Sequence, residues 1–126
     1  MERQIYYHDT DAGGVVYYGN YLKYMEEART EFLEKRGFSV QSLQKQGIIF
    51  AVRKCTVIYR SPARYGDTIT CDATLTKITA AQLIFDQKIF DKPSQTLLVE
   101  SEVNLVCLTS DFKPTSIPDH VRAQLV

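Results

Sequence analysis

One stretch of this chain reads as a long helix, and it is alone. From Tyr21 to Arg36 apolar side chains recur at spacings of three and four: Tyr21, Tyr24, Met25, Ala28 and Phe32. Lys23, Glu26, Glu27, Thr30, Glu31 and Glu34 fall on the other face. Asn20 is placed to cap the start, and Gly37 to stop the end. Such a segment makes a rod of about 24 Å. An isolated amphipathic rod must lay its apolar stripe on another layer. A second, shorter helical patch covers Val40 to Gln46, too small to be that layer.

The remaining sequence supplies strands. "IYY" near the start reads as a short one, and Ile49 to Arg60 as a long one rich in β-branched residues. Thr68 to Ile78 alternates, with Ile69, Cys71, Ala73 and Leu75 on one side. Ala81 to Asp91 and Leu97 to Leu108 follow, joined by "DKPSQ". Pro114 and Pro118 mark an extended tail. Short connections between late strands imply antiparallel pairing. The expected class is α+β, a five-stranded antiparallel sheet around one long helix. Residues 1–126 form a single domain, since no Pro/Gly/Ser linker or repeat divides them. A long edge strand on such a sheet calls for cover by another chain, so a homodimer or homotetramer is expected.

Chemistry concentrates in "YYHDTDAGGVVYYGNY", Tyr6 to Tyr21. Asp9 and Asp11 lie on the turn between the first strand and the helix. Gly13 and Gly14 let the chain fold back. A helix start presents N–H groups without intrahelical partners and a partial positive charge. A carboxylate beside it makes two halves of a site for acyl transfer: a nucleophile or base, and an oxyanion hole. Thioesters demand less of a weak carboxylate than amides do. Turn formation or capping is the structural alternative for the same aspartates. Tyr21 and Tyr24 belong to the helix core, whereas Tyr17 and Tyr18 either line an acyl pocket or pack.

Other classes fall away. Fifteen basic and fifteen acidic residues give no net charge, unlike a nucleic-acid binder. No signal peptide or membrane span is written in the sequence, and Cys55, Cys71 and Cys107 form no CxxC pair. A reducing cytoplasm is the expected location. "HDTD" lacks the paired histidines of a metal site, and no GxSxG elbow or Walker motif occurs. No cofactor or metal is expected.

"YYHDTDAGGVVYYGNYLKYMEEARTEFL", with "FAVRKCTVIYRSPARYGDTI" after it, resembles the hotdog-fold acyl-CoA thioesterases of the 4-hydroxybenzoyl-CoA thioesterase family, in its YbgC-like branch. The resemblance covers nearly the whole chain. It implies acyl-CoA as substrate and a site at a subunit interface. It implies Asp11 as the catalytic carboxylate and the Tyr18 amide as oxyanion donor, with Tyr7, Gly14, Val15, Val16 and Tyr17 around the substrate. Arg53, Lys54 and Lys77 are the expected contacts to CoA. The branch usually carries His where Tyr18 stands; the hydroxybenzoyl-CoA enzymes carry Tyr. The acyl group therefore stays open between short aliphatic and aromatic. An acyl-thioester hydratase and a non-catalytic acyl-CoA-binding partner of a membrane-associated complex are the rival functions.

Overall fold

The computed structural model describes all 126 residues. Strand β1 (Glu2–Gln4) leads through a single turn of 3-10 helix at Tyr7–Asp9 to helix α1 (Asn20–Glu34). Helix α2 (Val40–Lys45) comes next, then β2 (Ile49–Tyr59), β3 (Thr68–Cys71), β4 (Thr74–Ile78), β5 (Gln82–Asp91) and β6 (Leu97–Leu108). Helix α3 (Asp119–Leu125) ends the chain. Every strand pairing is antiparallel, in the order β1-β3-β5-β6-β2. Strand β4 pairs with β5 on the same side as β3.

Alternation along β5 and β6 sends Leu83, Phe85, Ile89, Val99, Val103 and Leu105 inward, where all are buried. Tyr21, Tyr24, Met25, Ala28 and Leu33 meet them from α1. The helix stops where expected: Gly37 takes φ +90°, and the Phe38 N–H bonds back to the Leu33 carbonyl at 2.9 Å.

A polar belt crosses the interior between two apolar clusters. Gln87 and Ser101 are direct neighbours across β5 and β6, both pointing inward. Gln87 Nε2 donates to the carbonyl oxygens of Met25 (3.0 Å) and Asp72 (3.1 Å). Its Oε1 accepts from Arg29 Nη1 at 2.9 Å. The Ser101 hydroxyl donates to the Gln87 carbonyl at 3.1 Å. These bonds satisfy polar groups that burial would otherwise penalise.

Several boundaries differ from the sequence expectation. The strand expected over Thr68–Ile78 is two strands. Asp72 breaks it, because its Oδ1 takes the Lys88 N–H (2.7 Å), a side chain standing in for a ladder partner. A second irregularity follows between Leu75 and Lys77. The sheet thus has six segments in five positions. The first strand ends at Gln4, and "IYY" enters the turn, although Ile5 is fully buried. The tail after Pro118 is helical, since Val121 and Leu125, four residues apart, both reach the core. Asn20 is not the cap of α1; Gly19 holds that position without a side-chain bond.

Candidate active site

The loop from Ile5 to Asn20 is fixed by Asp9. Its carboxylate is buried and accepts the Tyr6 N–H at 2.8 Å. Arg3 lies 3.4 Å away, reaches Glu27 at 3.2 Å and sits over the Tyr24 ring at 4.6 Å. Burial pushes the Asp9 carboxyl up; the Tyr6 N–H, the Tyr24 hydroxyl and Arg3 outweigh it and hold the group below its ordinary value. The Tyr24 hydroxyl, held in the core beside Asp9, is pushed well above its ordinary value by burial and by Asp9, and so stays a protonated phenol. The Asp9 main-chain carbonyl accepts twice more, from Tyr17 N–H (3.0 Å) and Asn20 Nδ2 (2.9 Å). Asn20 is thereby a clasp between loop and helix.

Asp11 faces the other way and is exposed. Its Oδ1 accepts the Gly13 N–H at 2.8 Å, an Asx turn. Its Oδ2 has no partner in the chain. The Asp11 N–H bonds to Val15 O (2.9 Å) and its carbonyl accepts from Gly14 (3.0 Å), closing a small loop in which Gly14 adopts φ +78°. A Cβ on Gly13 would stand 3.1 Å from Asp11 Oδ1. The loop is pinned to the segment after β2 by the Val16 N–H, which donates to Ala63 O at 2.8 Å.

The Tyr18 N–H, expected as the oxyanion donor, has no partner in the chain, whereas the two amides before it are engaged. Val16 and Tyr17 N–H are taken by Ala63 and Asp9. Helix α1 opens with tight three-residue turns: Asn20, Tyr21 and Leu22 N–H reach the carbonyls of Tyr17, Tyr18 and Gly19. The unpartnered N–H groups are those of Tyr18 and Gly19, just ahead of the helix. Glycine at 19 leaves room for the Tyr17 ring, which a Cβ there would meet at 2.8 Å.

Beside these amides lies a cleft of about 260 Å³, walled by Val15, Val16, Tyr18, Tyr21, Tyr59 and Pro62, with Arg60 and Ser61 on its rim. Tyr21 is locked by its hydroxyl, which accepts the Ala63 N–H at 3.0 Å. Tyr18 and Tyr59 meet edge to face, centroids 6.1 Å apart. Of the residues expected around the substrate, Val15, Val16 and Tyr18 border this cleft. Tyr7 does not; it packs on Tyr65. Gly14 and Tyr17 shape the loop without lining the cleft.

The basic residues expected at CoA do not gather. Lys54, Asn104, Ile84 and Lys77 stand in one row across β2, β6, β5 and β4. Three interstrand steps separate the two lysines, about 14 Å. Arg53 is the extra residue where β2 bulges between Val52 and Lys54. Arg60 is the cation that borders the cleft, paired with Glu100 at 2.8 Å. The side formed by Tyr59 and Pro62, with Ser61 on the rim, was not singled out from the sequence; its signal was "YRSPAR", a strand end followed by a proline turn.

A long helix laid on an antiparallel sheet defines a hotdog-type scaffold. The chain belongs to the thioesterase-like superfamily, whose family model matches residues 6–125. It is similar to the acyl-CoA thioester hydrolase YbgC of Escherichia coli O157:H7, 41% identical over 122 residues, spanning 96% of this chain and 90% of that protein. The acyl-CoA thioesterase YbgC of Haemophilus influenzae is 32% identical over 122 residues, spanning 95% of this chain and 88% of that one. Among solved structures, a 1,4-dihydroxy-2-naphthoyl-CoA thioesterase from Synechocystis superposes with TM-score 0.91 at 27% identity, covering 99% of this chain and 93% of that one. The fold is the hotdog fold, as the resemblance in the sequence implied.

Proposed function

We propose that this protein hydrolyses acyl-CoA thioesters with Asp11 as the catalytic carboxylate. The observation that carries this reading is the pairing of an exposed carboxylate oxygen without a partner and two unpartnered amides, Tyr18 and Gly19, on one short loop at the start of α1. The chain's similarity to the YbgC acyl-CoA thioester hydrolases supports it. The thioester carbonyl oxygen takes the Tyr18 and Gly19 N–H groups as negative charge develops on it. Each such donor contributes about 3 kcal/mol to the transition state. Asp11 either attacks the carbonyl carbon, forming a mixed anhydride that water then opens, or takes a proton from the attacking water. CoA leaves as the thiol and the acid remains. The cleft between Tyr18 and Tyr59 receives apolar matter beside the carbonyl. The open edge at β2, next to that cleft through Tyr59, is where a second copy completes the site.

A hydratase would draw on a histidine at the cleft, and neither His8 nor His120 lines it. Asp11→Asn tests the assignment. Thiol release from a panel of aliphatic and aromatic acyl-CoAs is expected to fall by about 100-fold or more in kcat, with KM little changed. Turnover close to that of the unaltered protein would remove Asp11 from the chemistry.

A further inference from the structure

Helix α1 carries a second polar feature, well away from the Asp11 loop. Arg29 lies nine residues past the helix start, about 14 Å along the axis. It is only 8% exposed. Its one side-chain hydrogen bond runs from Nη1 to Gln87 Oε1 at 2.9 Å. Gln87 cannot turn to offer anything else, because its amide nitrogen is spent on the Met25 and Asp72 carbonyls. Arg29 takes part in none of the ion pairs of the chain.

A guanidinium has five N–H donors. The Nε and Nη2 of Arg29 have no partner, yet neither is sealed inside the protein. Arg29 lines a partly open cavity of about 320 Å³ between α1, α2, β2 and Leu105 of β6. Leu33, Leu43, Ile48, Phe50, Val52 and Leu105 give it apolar walls. Glu26 is the acidic residue on its lining, exposed at the mouth and not in ion-pair contact with Arg29. Buried arginines are ordinarily paired, because a lone charge taken out of water is costly. Here an unpaired cation lines a mostly apolar cavity, whose other polar residues are Glu26, Thr30 and Gln44.

We propose that this cavity is a binding site for a small apolar group bearing an oxyanion, a single aromatic ring or a short chain with a carboxylate, its head on Arg29 and its body against Leu33, Leu43 and Phe50. The ligand has two sources: a free carboxylic acid, or the far end of an acyl group still attached to CoA. The free acid is also the product class of the reaction proposed above, but the site does not rest on that reading, since occupancy is measured without turnover.

The test is a titration followed by methyl NMR at Leu33, Leu43 and Val52. One arm uses benzoate against its neutral counterpart benzamide. The other uses non-hydrolysable CoA thioethers whose acyl end is either a carboxylate or a methyl group. The carboxylate form in at least one arm is expected to bind saturably and at least about 10-fold more tightly than its neutral counterpart, and which arm responds identifies the source. Arg29→Met is expected to weaken the carboxylate by about 10- to 100-fold and leave the neutral form unchanged, with Arg29→Lys retaining part of the preference. Leu43→Trp keeps Arg29, fills the cavity and is expected to abolish both, which guards against a misfolded Arg29 variant. Asp11→Asn is expected to bind as the unaltered protein does, so loss of catalysis and loss of this site are separable. Equal affinity for charged and neutral forms, shifts at the Asp11 loop instead of the cavity, or no binding in either arm overturns the proposal.

Discussion

Asp9 and Asp11 are separated by one residue and live in opposite surroundings. Asp9 is an interior anchor with its charge stabilised, while Asp11 keeps an oxygen free at the surface. Asp9→Asn removes the negative charge and leaves one oxygen to serve either the Tyr6 N–H or Arg3, not both. It is expected to lower unfolding stability by about 1–3 kcal/mol in urea titrations. The folded pKa of Asp9 is depressed below the ordinary 3.8. A depressed carboxyl stabilises the fold above its unfolded pKa and loses that contribution as pH falls through the folded one. The stability gap between the unaltered protein and Asp9→Asn should therefore be full at neutral pH and shrink from about pH 4 downward. A gap that stayed constant to acid pH would mean the charge is not what matters. Gly14→Ala places a side chain at φ +78° in open space, so its cost is backbone strain of about 1–2 kcal/mol. That strain acts on the loop holding Asp11, and a fall in kcat is expected along with the fall in Tm. The paired aspartates and glycines were legible in the sequence because their spacing is local. The fate of the Val16 and Tyr17 amides was not, because Ala63 lies far along the chain and the Asp9 carbonyl is reached only after the loop closes.

Helix α1 and the strands β5 and β6 were legible from periodicity, and their inward faces follow from it. Phe32 was expected in the buried stripe, but Leu33 and Arg29 go deeper. Periodicity ranks hydrophobic positions and has no way to put an arginine inside. The interrupted strand at Asp72 escaped for a related reason, since an alternating Thr/Asp face looks continuous until Lys88 supplies the N–H that Asp72 accepts. Gln87 is the hub of these long-range bonds. Gln87→Leu leaves the Met25 carbonyl, the Asp72 carbonyl and Arg29 without their partner, at an expected cost of about 2–4 kcal/mol. Chemical denaturation measures it. A loss under about 1 kcal/mol would show that water replaces the amide without penalty. Helix α3 was missed because two prolines dominate its approach, while its own signal is a single apolar pair at 121 and 125.

Across the whole molecule, β1 and β2 are the two ends of the sheet. Strand β2 is the long one, eleven residues with Val52, Ile58 and Tyr59 exposed. An uncovered edge of that length and character favours pairing with another chain. The 14.4 kDa chain is expected to sediment at twice that mass or more at assay concentrations, and a persistent monomer would count against a shared site. The same edge carries Cys55, the one exposed thiol, whereas Cys71 and Cys107 are buried and Cys71 is pushed up to about 12 by burial and by Asp72. Without any mutation, then, a maleimide dye finds a single accessible sulfur, and the native chain arrives with its own reporter fixed on the open β2 edge. If a second copy pairs along that edge, the rate at which the dye attaches will rise as the protein is diluted, and will time how often the two copies part.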